Sequence, residues 1–279
     1  MIAPARPEGG HRDAQLRIVA MDTVHEPIQI TPTAAVETPV LRMRWEALTY
    51  LHWDLDPEVV AAALPPGLSP DVHDGRAWVG LIPFRMAGIG LGPWPKVGSQ
   101  WSPRGLPLPQ GTFPETNVRT YVVGPDGGRG VYFHSLDITR LAPTAVARLG
   151  YQLPYCWSTM RIGQRGERIA YLAERRWPAP AGTRSHVIVE VGEQVSAAER
   201  TPLDDFLSAR WSLYVATPRG HVRRSLVDHG PWPLRHARLL HLDDGLMAAA
   251  GYDVQGRSPT HVRYGGEVNV AVGLPRRVG

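Results

Sequence analysis

The sequence is short of nucleophiles and of long apolar runs. Its only lysine is Lys96 and its only cysteine is Cys156. A lysine Schiff base could therefore form only at position 96, and a functional amine there needs burial or a neighbouring cation to depress its pKa. The surrounding Gly92-Pro93-Trp94-Pro95 offers neither, so Lys96 reads as a solvated loop residue. One cysteine excludes an intramolecular disulfide and a cysteine-rich zinc cluster. No histidine lies close to Cys156 in sequence to activate it, and a buried inert thiol is the simpler reading. About 18 consecutive apolar residues occur nowhere, and the N-terminus has no signal-peptide core, so the expectation is a soluble, cytoplasmic protein with no membrane partner. The histidines lack close ligand spacing, and Gly88 to Gly92 lacks the spacing of a phosphate loop. No metal and no cofactor is expected.

Arginine dominates what remains. The 30 basic residues less one lysine leave 29 arginines, against 26 acidic residues and a net charge of +4. The bias is that of a GC-rich coding genome, actinobacterial by expectation, and the arginines are scattered without a basic stripe, so nucleic acid is not an expected partner. Gly 29 and Pro 27 announce many turns.

Residues 1–38 lack periodicity and read as a flexible leader, leaving 39–279 as one domain. From Val40 short apolar stretches alternate with Gly and Pro about every ten residues, the texture of a strand-rich α+β fold. Asp56-Pro57-Glu58 begins a helix that Pro65-Pro66-Gly67 ends. Strands are expected at Ala77–Phe84, Val118–Val123, Val131–Leu136, Arg168–Arg175 and His186–Val191, the second and third joined as a hairpin through Gly124 to Gly128. Further helices are expected at Thr139–Leu149 and Pro202–Trp211, and Ile82 to Trp101 contains a loop that could cover a cavity mouth.

The segment Phe113-Pro114-Glu115-Thr116-Asn117-Val118-Arg119-Thr120-Tyr121 concentrates polar chemistry. In an extended strand Glu115, Asn117, Arg119 and Tyr121 share one face. Inside a barrel they could hold an anion and move protons; on an exposed sheet they would be an ordinary Arg–Glu pair. His134 alternates onto a face that could reach the same cavity, while His229, before Gly-Pro-Trp-Pro, would fix a turn. Tyr155 could donate to a carbonyl oxygen or sit in the core. The tryptophans, Trp157 among them, build the core or line a pocket.

Several motifs occur in a recognisable order: His52-Trp53, Asp74-Gly75-Arg76-Ala77-Trp78-Val79-Gly80, Pro114 to Tyr121, Tyr132-Phe133-His134-Ser135-Leu136-Asp137, Leu153-Pro154-Tyr155, Arg210-Trp211-Ser212-Leu213-Tyr214 and His229 to Leu234. Together they resemble the YqjF-like proteins, uncharacterised bacterial proteins grouped with the acetoacetate decarboxylase-like superfamily, from roughly Val40 to the C-terminus. The resemblance implies a closed conical antiparallel β-barrel with a few flanking helices. It also implies a Schiff-base lysine after a Gly-Tyr-Pro turn and an assisting glutamate, which Glu115 matches. At the lysine's place stands Tyr155, so decarboxylation through an imine is not expected. The expectation is a cofactor-independent lyase, isomerase, dehydratase or cyclase acting on a small carbonyl or carboxylate compound, in secondary metabolism and as a homo-oligomer. Glu115, Arg119 and Tyr155 would be catalytic, and Asn117, Tyr121, His134 and Trp157 would bind substrate. A non-catalytic barrel that binds a small molecule, or one simply filled by aromatic side chains, is the alternative.

Overall fold

The computed structural model describes residues 26–32, 34–91, 96–97, 100–101, 106–107, 111–139 and 152–279, with side chains described outside 91–110. The long strands are β1 (Leu41–Leu55), β4 (Arg76–Leu91), β8 (Phe113–Val123), β9 (Arg129–Ile138), β10 (Tyr155–Arg165), β11 (Arg168–Trp177), β12 (Arg184–Gln194), β13 (Ser212–Ala216), β14 (Val222–His229), β15 (Arg235–Asp244) and β16 (His261–Val272). Strands β2 (Ser69–Pro70), β3 (Val72–His73), β5 (Lys96–Val97), β6 (Gln100–Trp101), β7 (Leu106–Pro107) and β17 (Arg276–Val278) are short. Three helices are described: α1 (Pro57–Ala62), α2 (Pro202–Ser208) and α3 (Leu246–Ala249). None is long and apolar enough to cross a membrane.

All the strands but β5 and β6 belong to one sheet, and it closes. The circuit β9-β10-β11-β12-β15-β16-β1-β4-β8 returns to β9, making a nine-stranded barrel. The sheet also branches. Strand β13 pairs with β9, and β14 pairs with both β13 and β16, so a second, seven-stranded circuit shares β1, β4, β8, β9 and β16 with the first. Because side chains alternate across a strand, the shared wall faces two interiors. Tyr50 and Phe84 face the core of the smaller circuit, whereas Leu51 and Leu81 face that of the larger one.

Alternation placed the strands well, and the 124–128 hairpin is antiparallel as expected. Four details differ. The joints β9–β10 and β9–β13 are parallel, not antiparallel; residues 139–154 between β9 and β10 provide the long connection a parallel pair requires. The expected helix to Trp211 stops at Ser208, where Ala209 turns to ψ 77 and the Arg210 guanidinium donates to the Phe206 carbonyl, satisfying the helix end. Strand β4 runs on to Leu91, into the segment expected to be a loop. The leader is anchored where it is described: the Glu26 carboxylate pairs with Arg224, the Gln29 carbonyl accepts from Trp211 Nε1, and Val36 is buried. The expected helix at 139–149 lies almost wholly outside the described residues.

Candidate active site

The smaller circuit encloses a cavity with room of about 80 Å³ for water-sized molecules, enough for roughly five to eight such groups. Its walls are mostly apolar, with Leu48, Phe84, Met86, Phe133 and Leu213 among them. Trp45 and Trp232 stack with ring centres 6.1 Å apart along one side. Into this lining strand β8 sends Glu115, Asn117 and Arg119, all buried. Ser208 ends α2 and Arg210 follows it, His229 ends β14, and Tyr155 begins β10.

The polar groups are incompletely satisfied by the protein. Among the described residues, Trp45 Nε1, Glu115 Oε2, Asn117 Oδ1, Arg119 Nε and Arg210 Nη2 are buried and find no hydrogen-bond partner. Buried polar atoms are rarely left so, because each costs about 1–3 kcal/mol. Five on the residues of one cavity single it out as the candidate site.

Burial, and then the nearby charge of Asp137, push the Glu115 carboxyl up to about 8, with an Asn117 hydrogen bond opposing them. No arginine pairs with Glu115 among the described residues. Arg119 instead donates through Nη2 to the Tyr121 hydroxyl and the Leu207 carbonyl, and its guanidinium lies 5.5 Å from the Tyr50 ring centre. Arg210 pairs with Asp71 through Nη1. His229, wedged between Trp45, Trp211 and Trp232, has Nδ1 2.7 Å from the Gly230 carbonyl, and burial pushes it down to about 4. It is thus neutral at physiological pH and fixes the turn as expected, while also lining the cavity.

Of the seven residues expected at the site, Glu115, Asn117, Arg119 and Tyr155 converge on the cavity. Tyr121 lies one layer below, its hydroxyl 3.1 Å from Arg119 Nη2, 2.9 Å from the Leu207 carbonyl and 2.6 Å from His52 Nε2. His134 and Trp157 are placed elsewhere. Strand β9 carries a bulge: Val118 pairs with Ser135 but Arg119 with Phe133, leaving His134 as the extra residue. The bulge breaks the alternation that pointed His134 inward and turns it to the Tyr252 hydroxyl, 2.7 Å away. Trp157, two residues into β10, lies beyond the branch and is 38% exposed. Trp232, one of the tryptophans expected in the core or along a pocket, lines the cavity, whereas Trp45 and Arg210 were not anticipated there; the three come from distant segments.

The architecture is that of the acetoacetate decarboxylases. The crystal structure of acetoacetate decarboxylase from Legionella pneumophila superposes with a TM-score of 0.57 at 12% identity, over 89% of this chain and 92% of that one. The enduracididine biosynthesis enzyme MppR, complexed with the condensation product of pyruvate and imidazole 4-carboxaldehyde, superposes with a TM-score of 0.55 at 14% identity, over 88% and 92%. At such identities the likeness concerns the fold alone. By sequence, the chain belongs to the DUF2071 family of uncharacterized conserved proteins, whose model matches residues 42–269. It is 30% identical over 200 residues to the uncharacterized protein YqjF of Bacillus subtilis, covering 71% of this chain and 76% of YqjF.

Proposed function

We propose that the protein is a cofactor-independent enzyme that moves a proton on a small oxo acid held in the cavity, without forming an imine. The observation that carries this reading is Glu115: a buried carboxyl raised to about 8 that, among the described residues, has no guanidinium partner and one unsatisfied oxygen. A general base works best when its pKa lies near the working pH, and desolvation is the usual means of bringing a glutamate there. In this reading the unpaired N–H groups of Arg119 and Arg210 hold the substrate carboxylate. Glu115 takes a proton from the carbon beside the carbonyl. The electron pair of the broken C–H bond moves onto the carbonyl oxygen, where the Tyr155 hydroxyl donates to the developing enolate. Return of the proton to a different position gives isomerisation, and departure of a neighbouring group gives a lyase step. Tyr155, where the resemblance puts the amine, supplies a hydrogen bond in place of a nucleophile. The cavity suits an acid of about five to eight non-hydrogen atoms.

The test is exchange of the methyl protons of pyruvate and the methylene protons of 2-oxobutanoate in D2O, followed by proton NMR against a buffer blank. Exchange should rise with pH through about 8 and vanish in Glu115→Gln. Oxo acids that raise the melting temperature without exchanging would instead identify a non-catalytic binding barrel.

A further inference from the structure

Beneath the cavity floor a row of residues crosses four strands in register. Arg119 on β8 pairs with Gly80 on β4, Gly80 with His52 on β1, and His52 with His261 on β16. At Gly80 a Cβ would stand 2.7 Å from His52 Cδ2, so the missing side chain makes the space the His52 ring occupies. The ring lies against Tyr50, with centres 5.6 Å apart. Its Nε2 is 2.6 Å from the Tyr121 hydroxyl and its Nδ1 is 3.1 Å from His261 Nδ1. His261 Nε2 lies 2.9 Å from Asp204 Oδ1 on α2. Tyr121, His52, His261 and Asp204 are all buried.

The chemistry of the two ends fixes the direction of every bond between them. The Asp204 carboxylate only accepts. It takes the Thr201 backbone N–H on Oδ2 and faces the Arg263 guanidinium, 2.9 Å from Oδ1. His261 must therefore donate through Nε2. With the Arg263 guanidinium already on the same carboxylate, a neutral His261 avoids a second cation there, and its bare Nδ1 then accepts from His52 Nδ1–H. His52 Nε2 is left to accept, so the single hydrogen of Tyr121 goes to it rather than to the Leu207 carbonyl, 2.9 Å away. The Tyr121 oxygen in turn takes the Arg119 Nη2–H. Burial first, and then the nearby Arg119 guanidinium, hold the His52 imidazole well below its ordinary range, in keeping with a neutral ring.

We propose that Tyr121, His52, His261 and Asp204 form a polarised relay of positioning residues, in which every donor points away from the cavity and the Asp204 charge fixes Arg119 for a bound anion. This rests on the reading of the cavity as an anion site, but the bond directions can be measured without any ligand. In a chain of this kind each bond polarises the next.

The experiment is long-range proton–nitrogen NMR on the full chain labelled with 15N-histidine, the two rings assigned from His52→Gln and His261→Gln. The expected pattern is Nδ1–H with bare Nε2 on His52, and Nε2–H with bare Nδ1 on His261. A doubly protonated His261, or Nε2–H on His52, overturns the proposal. Asp204→Asn should reverse the pattern: the Thr201 N–H holds the amide oxygen, so the amide nitrogen faces His261 and forces it to accept. In that variant, and in Tyr121→Phe, exchange of the Arg119 side-chain N–H groups with water should quicken by about tenfold, the loss of one charge-assisted hydrogen bond. Unchanged exchange in both would refute the positioning role. If pyruvate shows neither binding nor proton exchange while the tautomers are as expected, the functional reading fails and the relay stands.

Discussion

Glu115 gives the sharpest thermodynamic test. Replacing it with glutamine keeps the shape and the Asn117 hydrogen bond but removes the titration. In the unfolded chain the carboxyl ionises near 4.5, and in the folded barrel near 8. Between those values the native state binds the proton and the unfolded state releases it. Stability therefore falls as pH rises from about 4.5 to about 8 and levels off above. The gap of 3.5 (8 minus 4.5) corresponds to on the order of 5 kcal/mol, at about 1.4 kcal/mol per pKa unit. That is a large part of the roughly 5–15 kcal/mol typical of a folded domain. The assay is urea unfolding of wild type and Glu115→Gln at pH 5, 7 and 9. Other titrating groups are common to both proteins and cancel in the difference. Near pH 5 the two should be within about 1 kcal/mol of each other, and by pH 9 the variant should be the more stable by several kcal/mol. A difference that stays constant from pH 5 to 9 would mean that Glu115 is solvated or paired, and the proposed general base would go with it.

Three other perturbations test the frame of the site. Gly80→Ala should destabilise by about 1–3 kcal/mol because its Cβ meets the confined His52 ring, whereas Gly163→Ala, with open space around it, should stay within about 0.5 kcal/mol. Equal effects in urea melts would refute the close-approach argument. Arg175→Ala leaves Asp137 buried and without its bidentate partner, 2.6 and 2.9 Å away, and should cost about 3–5 kcal/mol at pH 7; a loss below about 1 kcal/mol would show that the pair is solvated. Thr201→Ala removes the side-chain acceptor for the Asp204 backbone N–H at the start of α2 and should cost about 1 kcal/mol by thermal denaturation. No change there would show that the cap does not hold that helix.

What sequence could and could not convey follows from the range of each interaction. Local alternation sets Glu115, Asn117 and Arg119 on one face, and closure of the sheet makes that face the wall of a cavity. His134 was misdirected because a bulge depends on how β8 pairs with β9, which β9 does not reveal by itself. Trp45, Arg210 and Trp232 meet only after closure of the sheet. His52 and His261 are 209 residues apart, and only the register of β1 on β16 joins them. The end of α2 was overrun because Leu203, Phe206, Leu207 and Arg210 share a helical period, yet Arg210 turns back to the Phe206 carbonyl instead of continuing the coil.

The branched sheet makes the cavity unusually sensitive to frame. On β8, Glu115, Asn117 and Arg119 face one interior, while Val118 faces the other, among Val79, Leu81 and Val187. A single-residue insertion upstream in this strand would exchange the two sets. It would drive a carboxyl, an amide and a guanidinium into a hydrocarbon core and strip the cavity of the polar groups that β8 supplies at the same moment. In an open sheet with one wet face such a slip exposes a few apolar side chains; in this wall neither face can absorb the error. Tolerance of insertions should therefore drop abruptly at the ends of the five shared strands, and a deletion scan across β8 would map the boundary of the site without knowledge of its substrate.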